Sequence, residues 1–343
     1  MKIVSRFRAS LLPVLMRIGR VGFSLVALSL VLGALAPLPT AFASAHNFAS
    51  RVQIDANVLE FQLLSDTQGF VVGTDLKLWL VHAPFGSVPP SGRTQIDANV
   101  IAFQALSATQ ILVLGTDHNL WLEHAPFGSV PPGRTHIDAS VSRFQVVLGT
   151  NGQQILVQGT DDNLWLEHAP FGNVPPGRTH IDASVSSFQQ VPDNAQELLV
   201  KGTNDNLWLE HAPFGVVPPS RIHIDASVGF FQAVPGTNAQ QILVTGATDF
   251  LGFQGQLWLE HAPFGVVPPG RSLLGGASFF QTLSRTELMF LDEGDVWDVS
   301  PISPSGVEHH VDGNVSFFQA LSSTEVVVLG TDSKLWLEFA PFN

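Results

Sequence analysis

The chain has no cysteine and no tyrosine among its 343 residues, and only 13% of it is charged. The missing cysteine excludes a disulfide framework, a thiolate metal site and a cysteine nucleophile. Scarce charge beside 45% hydrophobic residues excludes a disordered chain. Positive charge is scarcest where a polyanion would need it. Lys2, Arg6, Arg8, Arg17 and Arg20 stand in the first 45 residues, which hold no acid. That leaves 11 of the 16 basic residues to face all 29 acidic ones over 46–343, a net of −18. Such a body repels phosphate backbones and anionic lipid, so no nucleic-acid partner is expected. Residues 46–343 also lack any capped amphipathic run of helical length.

What is present begins with a leader. A basic stretch (1–20) precedes an uncharged, mostly apolar run from Val21 to Ala36, and small residues follow at Ala41–Ala45. This is the pattern of a secretory signal, so 1–45 is read as a signal peptide. The apolar run is shorter than the ~20 residues of a spanning helix. The expectation is an exported protein, secreted or extracytoplasmic, monomeric and without membrane insertion after signal removal.

The remainder is one unit repeated. Phe-Gln recurs at Phe61, Phe103, Phe144, Phe188, Phe231, Phe280 and Phe318, and each pair is followed by one Trp: Trp79, Trp121, Trp165, Trp208, Trp258, Trp297 and Trp336. An Asp stands six residues before six of these Phe, with Leu274 at the seventh position. In the second unit, short apolar runs at Ile101–Leu106, Gln110–Gly115 and Leu120–Ala125 and an alternating run at Arg134–Ala139 are separated by turn residues and prolines. Four strands in 40–45 residues is the period of a propeller blade. The seven residues after Trp336 and the ten from His46 to Asp55 together restore the 17-residue Trp-to-Asp spacing of an intact unit. The N-terminal strand should therefore complete the last sheet, leaving no free edge. The expected fold is all-β: a seven-bladed β-propeller of four-stranded blades over 46–343. Its blades fall near 57–98, 99–139, 140–183, 184–226, 227–275, 276–313, and 314–343 with 46–56.

The Gly-Thr-Asp-x-Asn-Leu-Trp turn (Gly115–Trp121, Gly159–Trp165) and the strand phase resemble the tectonin and tachylectin-like propellers and related secreted bacterial propeller lectins. The resemblance covers 46–343. It implies a propeller that binds glycans or proteins and is not an enzyme; no binding residue carries over from it.

Each repeated feature has its own reading. The Trp residues, with Leu on both sides in most units, are expected to pack between blades, with the marker Phe as further structural residues; a sugar-stacking platform is the alternative. Trp121→Ala should then unfold the protein more readily than Trp297→Ala. The Glu-His pairs at Glu123, Glu167, Glu210 and Glu260 point to opposite strand faces and so cannot form an acid–base couple. They read as polar strand-edge residues, whose acids could still shape a sugar or cation pocket with the turn residues Asp117, Asn119, Asp161, Asn163 and Asp205. His136, His180 and His223 alternate with Gln53 and Gln95, a poor exchange for a metal ligand, and read as a solvated face. The marker Gln should bond between blades, with channel lining as the alternative. The sixth unit departs from the pattern, and Asp292, Glu293, Asp295, Glu308, His309 and His310 could form a single-copy site there.

No catalytic residue, metal or cofactor is expected. The leading function is multivalent recognition of glycans or surface proteins, lectin-like. The alternatives are an assembly scaffold with the Ala-Pro-Phe-Gly loops as an exposed apolar rim, and an enzyme with one site near the sixth blade.

Overall fold

The computed structural model describes residues 51–192, 194–246 and 255–342. Residues 1–50, over which a signal peptide is expected, and most of the fifth unit's insertion at Phe250–Gly255 lie outside the described residues. Each unit folds into one four-stranded antiparallel sheet, giving seven blades. Their strands occupy 58–97, 100–138, 141–182, 185–225, 228–276, 279–312 and 315–339 with 51–56. Among the described residues no helix is present.

The second blade shows why these residues form strands. Val100–Ser107, Gln110–Gly115, Leu120–His124 and Gly133–Asp138 follow one another as neighbours. Ile111, Leu112, Val113 and Leu114 are all buried, because the second strand is covered by a neighbouring blade on both faces. The turn into the third strand is local chemistry: Asp117 accepts from the Asn119 backbone N–H at 3.1 Å and from its side-chain amide at 2.7 Å, with His118 left-handed at φ 61°.

Arg51–Ala56 pairs antiparallel with Lys334–Phe339, Gln53 opposite Trp336, and is the fourth strand of the seventh blade. The first and last segments of the described chain thus close the ring and leave neither as a bare edge.

Two devices hold the blades together. Seven hydrophobic clusters occupy the seven wedges between blades. Phe61, Phe103, Phe144, Phe231, Phe280 and Phe318 are buried in them, and Phe188 is half-buried against its own. The second device is a belt. Gln62 accepts the backbone N–H of Ala105, Gln104 that of Val146, Gln145 that of Gln190, and Gln189 that of Ala233. Gln232 then accepts from Thr282, Gln281 from Ala320, and Gln319 from Leu63, closing the circle with bonds of 2.8–3.2 Å throughout. Each marker Gln therefore bonds the next blade's innermost strand, and each bond satisfies a donor that would otherwise be buried unpaired.

The phenylalanine of the Ala-Pro-Phe-Gly loop does not belong to an exposed rim. Phe85, Phe127, Phe171, Phe214 and Phe264 turn inward and pack against the wedge clusters, as Ile302 does in the sixth blade. The loop valines and several loop prolines stay out, Val216 and Val266 being 73% and 74% exposed and Pro84 and Pro126 exposed beside them.

Candidate functional site

The third and fourth strands of each blade carry an outer constellation. Arg221 lies two residues before His223 on a fourth strand, opposite Glu210 on the third, and Trp208 lies opposite His223. Strand alternation puts Trp208, Glu210, Arg221 and His223 on one face. That face looks at the preceding blade, whose last strand ends in Asp182. The Arg221 guanidinium stands 4.2 Å from the Trp208 ring centroid and 3.2 Å from Asp182. The same set recurs around the ring. Arg93 joins Trp79 and Asp55; Arg134 joins Trp121 and Asp97; Arg178 joins Trp165 and Asp138. Arg271 joins Trp258 and Asp225, and Arg51 joins Trp336 and Asp312. A guanidinium over an indole face and beside a carboxylate combines a cation–π contact with an ion pair.

Behind five of these pairs sits a buried acid. Glu123, Glu167, Glu210 and Glu260 have no exposed surface, and neither oxygen of any of them receives a bond from a nitrogen or hydroxyl. Burial first, then the hydrogen bond to and charge of Asp97, push Glu123 up to about 9. Glu167, Glu210 and Glu260 are raised to about 9 in the same way by Asp138, Asp182 and Asp225. Glu338 is pushed up to about 8, by burial and then by Asp312. At neutral pH each glutamate is therefore the neutral acid and donates its proton to the aspartate. This corrects the strand-edge reading and removes these four residues as direct ligand contacts: they position the aspartate from behind.

The Trp expectation needs the same correction. Trp121, Trp165, Trp208 and Trp258 are half-buried and stand outside the hydrophobic clusters. Their flanking leucines point to the opposite face, so Leu120 is fully buried beside a Trp that water reaches. Trp79, Trp297 and Trp336 do pack at the margin of a cluster.

Nor are the histidines a solvated face. His136, His180 and His223 stack on Trp121, Trp165 and Trp208 with centroids 4.2–4.3 Å apart. Each ring Nε2 lies 3.0–3.1 Å from the carbonyl of the aspartate two residues on, a carbonyl displaced from the ladder by a bulge. Gln53 and Gln95 donate to the matching carbonyls of Asp55 and Asp97. One side-chain N–H at this place is what both residue types supply.

Between blades the constellation opens into a pocket. At the third–fourth junction a cavity of about 320 Å³ is lined by Asp182, Ser184, Thr203, Asn204, Trp208 and Arg221. At the seventh–first junction one of about 200 Å³ is lined by Asp55, Asn57, Thr74, Asp75, Trp79 and Arg93. Asp117 and Asp161 occupy the position of Asp75 and Asn204 in their own turns, at the pocket rim. Asn119 and Asn163 are held by those aspartates. Asp205 stands one position away and pairs with Lys201 at 3.3 Å, so Asn204 is the pocket residue of that blade. The six arginines were absent from the sequence-based site set. Their signal was there: an arginine stands four positions before five of the six marker Asp residues, and Arg271 stands four before Gly275.

The sixth blade keeps only the Trp of this set. By strand register Gly275, not Leu274, stands where the preceding blade's aspartate would be, because the segment to the marker Phe is one residue shorter there; Glu308 replaces the arginine and Val299 the buried glutamate. Its acidic residues do not assemble into one site with both histidines. His310 stands opposite Trp297 and His309 opposite Asp298, so the pair is split between two faces. His310 lies 3.7 Å from Asp295; burial and then Glu293, Asp295 and Glu308 raise Asp292. Among the described residues no group of three or more potential ligands is placed to hold a metal ion.

No family model and no curated protein sequence matches the chain. Among solved structures, the Cps50 (Swd1) β-propeller domain of Myceliophteria thermophila is similar, with a TM-score of 0.55 and 8% identity over 84% of this chain and 99% of that one. At that identity the likeness concerns the fold alone. The class is settled by it and by the seven closed sheets: a seven-bladed β-propeller.

Proposed function

We propose that this propeller is an exported, non-enzymatic, multivalent recognition module of tectonin-like type, whose blade-junction pockets take glycans. The observation that carries the reading is the Trp–Arg–Asp set at six of seven junctions. Each set is internally neutralised, since the guanidinium already faces a carboxylate and, in the five sets with an acid behind, that acid is protonated. A free anion would compete with the aspartate, and a cation with the arginine. A neutral polyol competes with neither: it offers hydroxyls to the outer edges of Asp, Arg and the turn residues, and C–H faces to the indole. Weak sites repeated on one body reach useful strength through avidity.

The test is a glycan array on the mature protein, followed by calorimetry with a monovalent sugar from the hits. Several equivalent sites per chain are expected, each with a Kd on the order of 0.1–1 mM before avidity adds ~10² or more. Arg221→Ala with Trp208→Ala should remove one site from that count. A single tight site, an unchanged count or hydrolytic turnover of the sugar would overturn the reading.

A further inference from the structure

One register position on the innermost strands is not repeated, and it lies beside the axis. The residue before each marker Phe faces the next blade near the centre of the ring, on the same side of its strand as the belt glutamine. In blades five, six and seven this residue is Phe230, Phe279 and Phe317. Their rings touch in sequence around the axis, with centroids 5.5 Å apart for Phe230 and Phe279 and 4.8 Å for Phe279 and Phe317. Phe317 reaches Phe61 of the first blade at 5.7 Å, so the aromatic arc runs across three blades onto a fourth. All three rings remain half-buried rather than sealed.

The opposite arc is polar and small. Blade one supplies Glu60 at the same position, blade two Ala102, blade three Arg143 and blade four Ser187. Arg143 is engaged, its charge lying near Asp162. Glu60 differs: among the described residues no ion pair or hydrogen bond reaches its carboxyl. It is half-buried by solvent exposure, yet enclosed closely enough that burial alone pushes it up to about 8. A side chain that water touches but protein surrounds is what a narrow axial opening produces. Leu59 and Ile101, each 37% exposed, stand on the same innermost strands one residue earlier.

We propose that the axial opening is a single-copy site for an organic cation, an ammonium group carried on an aromatic or alkyl body, with Glu60 as its counter-ion and Phe230, Phe279 and Phe317 as its apolar wall. Ring faces attract a cation while their bulk takes the apolar body, and the unpartnered Glu60 carboxyl releases its proton to solvent as the cation enters, so that its carboxylate supplies the opposite charge. The blade-junction pockets cannot duplicate this, because their carboxylates already face basic side chains: Asp182 faces Arg221, Asp55 faces Arg93 and Asp75 faces Lys77.

The probes are 2-phenylethylammonium and its neutral counterpart 2-phenylethanol, titrated by calorimetry into the full mature chain and followed by protein NMR. One site per chain is expected for the cation. The alcohol should bind at least about tenfold more weakly, and Glu60→Gln should weaken the cation by about tenfold or more without altering the alcohol. Phe279→Leu, which keeps the position apolar, should weaken both. Melting curves establish that each variant is folded; if Phe279→Leu does not fold, Phe317→Leu replaces it. Equal affinity for the two probes, several cation sites per chain, or cation binding indifferent to Glu60→Gln would overturn the proposal. Sugar binding is read on the same samples and should survive Glu60→Gln, so failure of the axial site and failure of the junction pockets are distinguishable.

Discussion

The junction between blades three and four and the junction between blades five and six differ in their outer parts and agree in their inner ones. The first has Asp182, Arg221, Trp208 and a buried acid at Glu210. The second keeps only Trp297, edge-on to His310 at 5.0 Å. Both keep a filled wedge and a belt bond, Gln145 to Gln190 in one and Gln232 to Thr282 in the other. In the degenerate junction Ile302 stands in for the loop phenylalanine. The ring therefore closes without the outer set, because the belt and the wedges supply the cohesion. An Asp–Arg–Trp set that the fold does without at one junction is free to serve recognition at the other six.

The largest test of that division is removal of the closing strand. Deleting Arg51–Ala56 leaves Lys334–Phe339 with an unpaired edge and opens the wedge that holds Ile54. A loss of several kcal/mol, comparable to a domain's stability, with aggregation on gel filtration, is expected. An unchanged melting temperature would show that closure is not cohesive.

Next in size is pH. Glu123, Glu167, Glu210 and Glu260 are raised to about 9, and Glu60 and Glu338 to about 8. Between the ordinary glutamate value near 4.5 and these values the folded chain keeps protons that the unfolded chain has released. Their stabilisation is thus complete below the ordinary value and is lost as pH rises through the folded one. Each group removes at most ~1.4 kcal/mol per pH unit within its window. Urea unfolding should show the protein more stable at pH 5.5 than at pH 8.5 by about 3 kcal/mol or more. Changing all four glutamates with the highest values to Gln should flatten the slope; a slope that stays steep would refute proton sharing at the junctions.

Tryptophan truncation sharpens the comparison in the reverse of the sequence-based order. Trp297 packs against a wedge cluster, so Trp297→Ala should cost about 3 kcal/mol. Trp121, resting on His136 and Arg134 outside the clusters, should cost less, about 1–2 kcal/mol, and be the more readily quenched by acrylamide. Guanidinium titrations of the two variants decide the order.

Charge removal comes next. Arg221→Ala strips the partner from Asp182 and should cost about 1–3 kcal/mol together with one ligand site. Glu308→Ala, at the same register in the sixth blade and exposed, should stay within about 0.5 kcal/mol and leave ligand binding intact. Similar losses for both would deny the junctions their difference. The smallest effect belongs to His180→Gln, about 0.5 kcal/mol or less, since Gln53 and Gln95 make the same carbonyl bond elsewhere. A larger loss on melting would mean that the stack on Trp165 carries more than the bond does.

Seven units, their four-strand period and their closure through Arg51–Ala56 were legible in the sequence, because each depends on local alternation, turn residues and the count between markers. Strand alternation in the sequence also separates the two members of each Glu-His pair. The same alternation, applied to the leucines beside each Trp, would have turned Trp121 away from the core; proximity along the chain was mistaken for proximity in packing. Five of the Arg–Asp pairs join residues 37 to 46 positions apart, as in Arg134 with Asp97 and Arg271 with Asp225, and Arg51 meets Asp312 across 261. The belt bond from Gln319 to Leu63 spans 256. Repetition fixes what each blade contains, but the wedge angle decides which face of one blade meets which end of the last. Only the closed ring could place Asp182 against Arg221, bury Glu210 behind them until it holds its proton, and gather Phe230, Phe279 and Phe317 into one arc that ends on the first blade, next to Glu60.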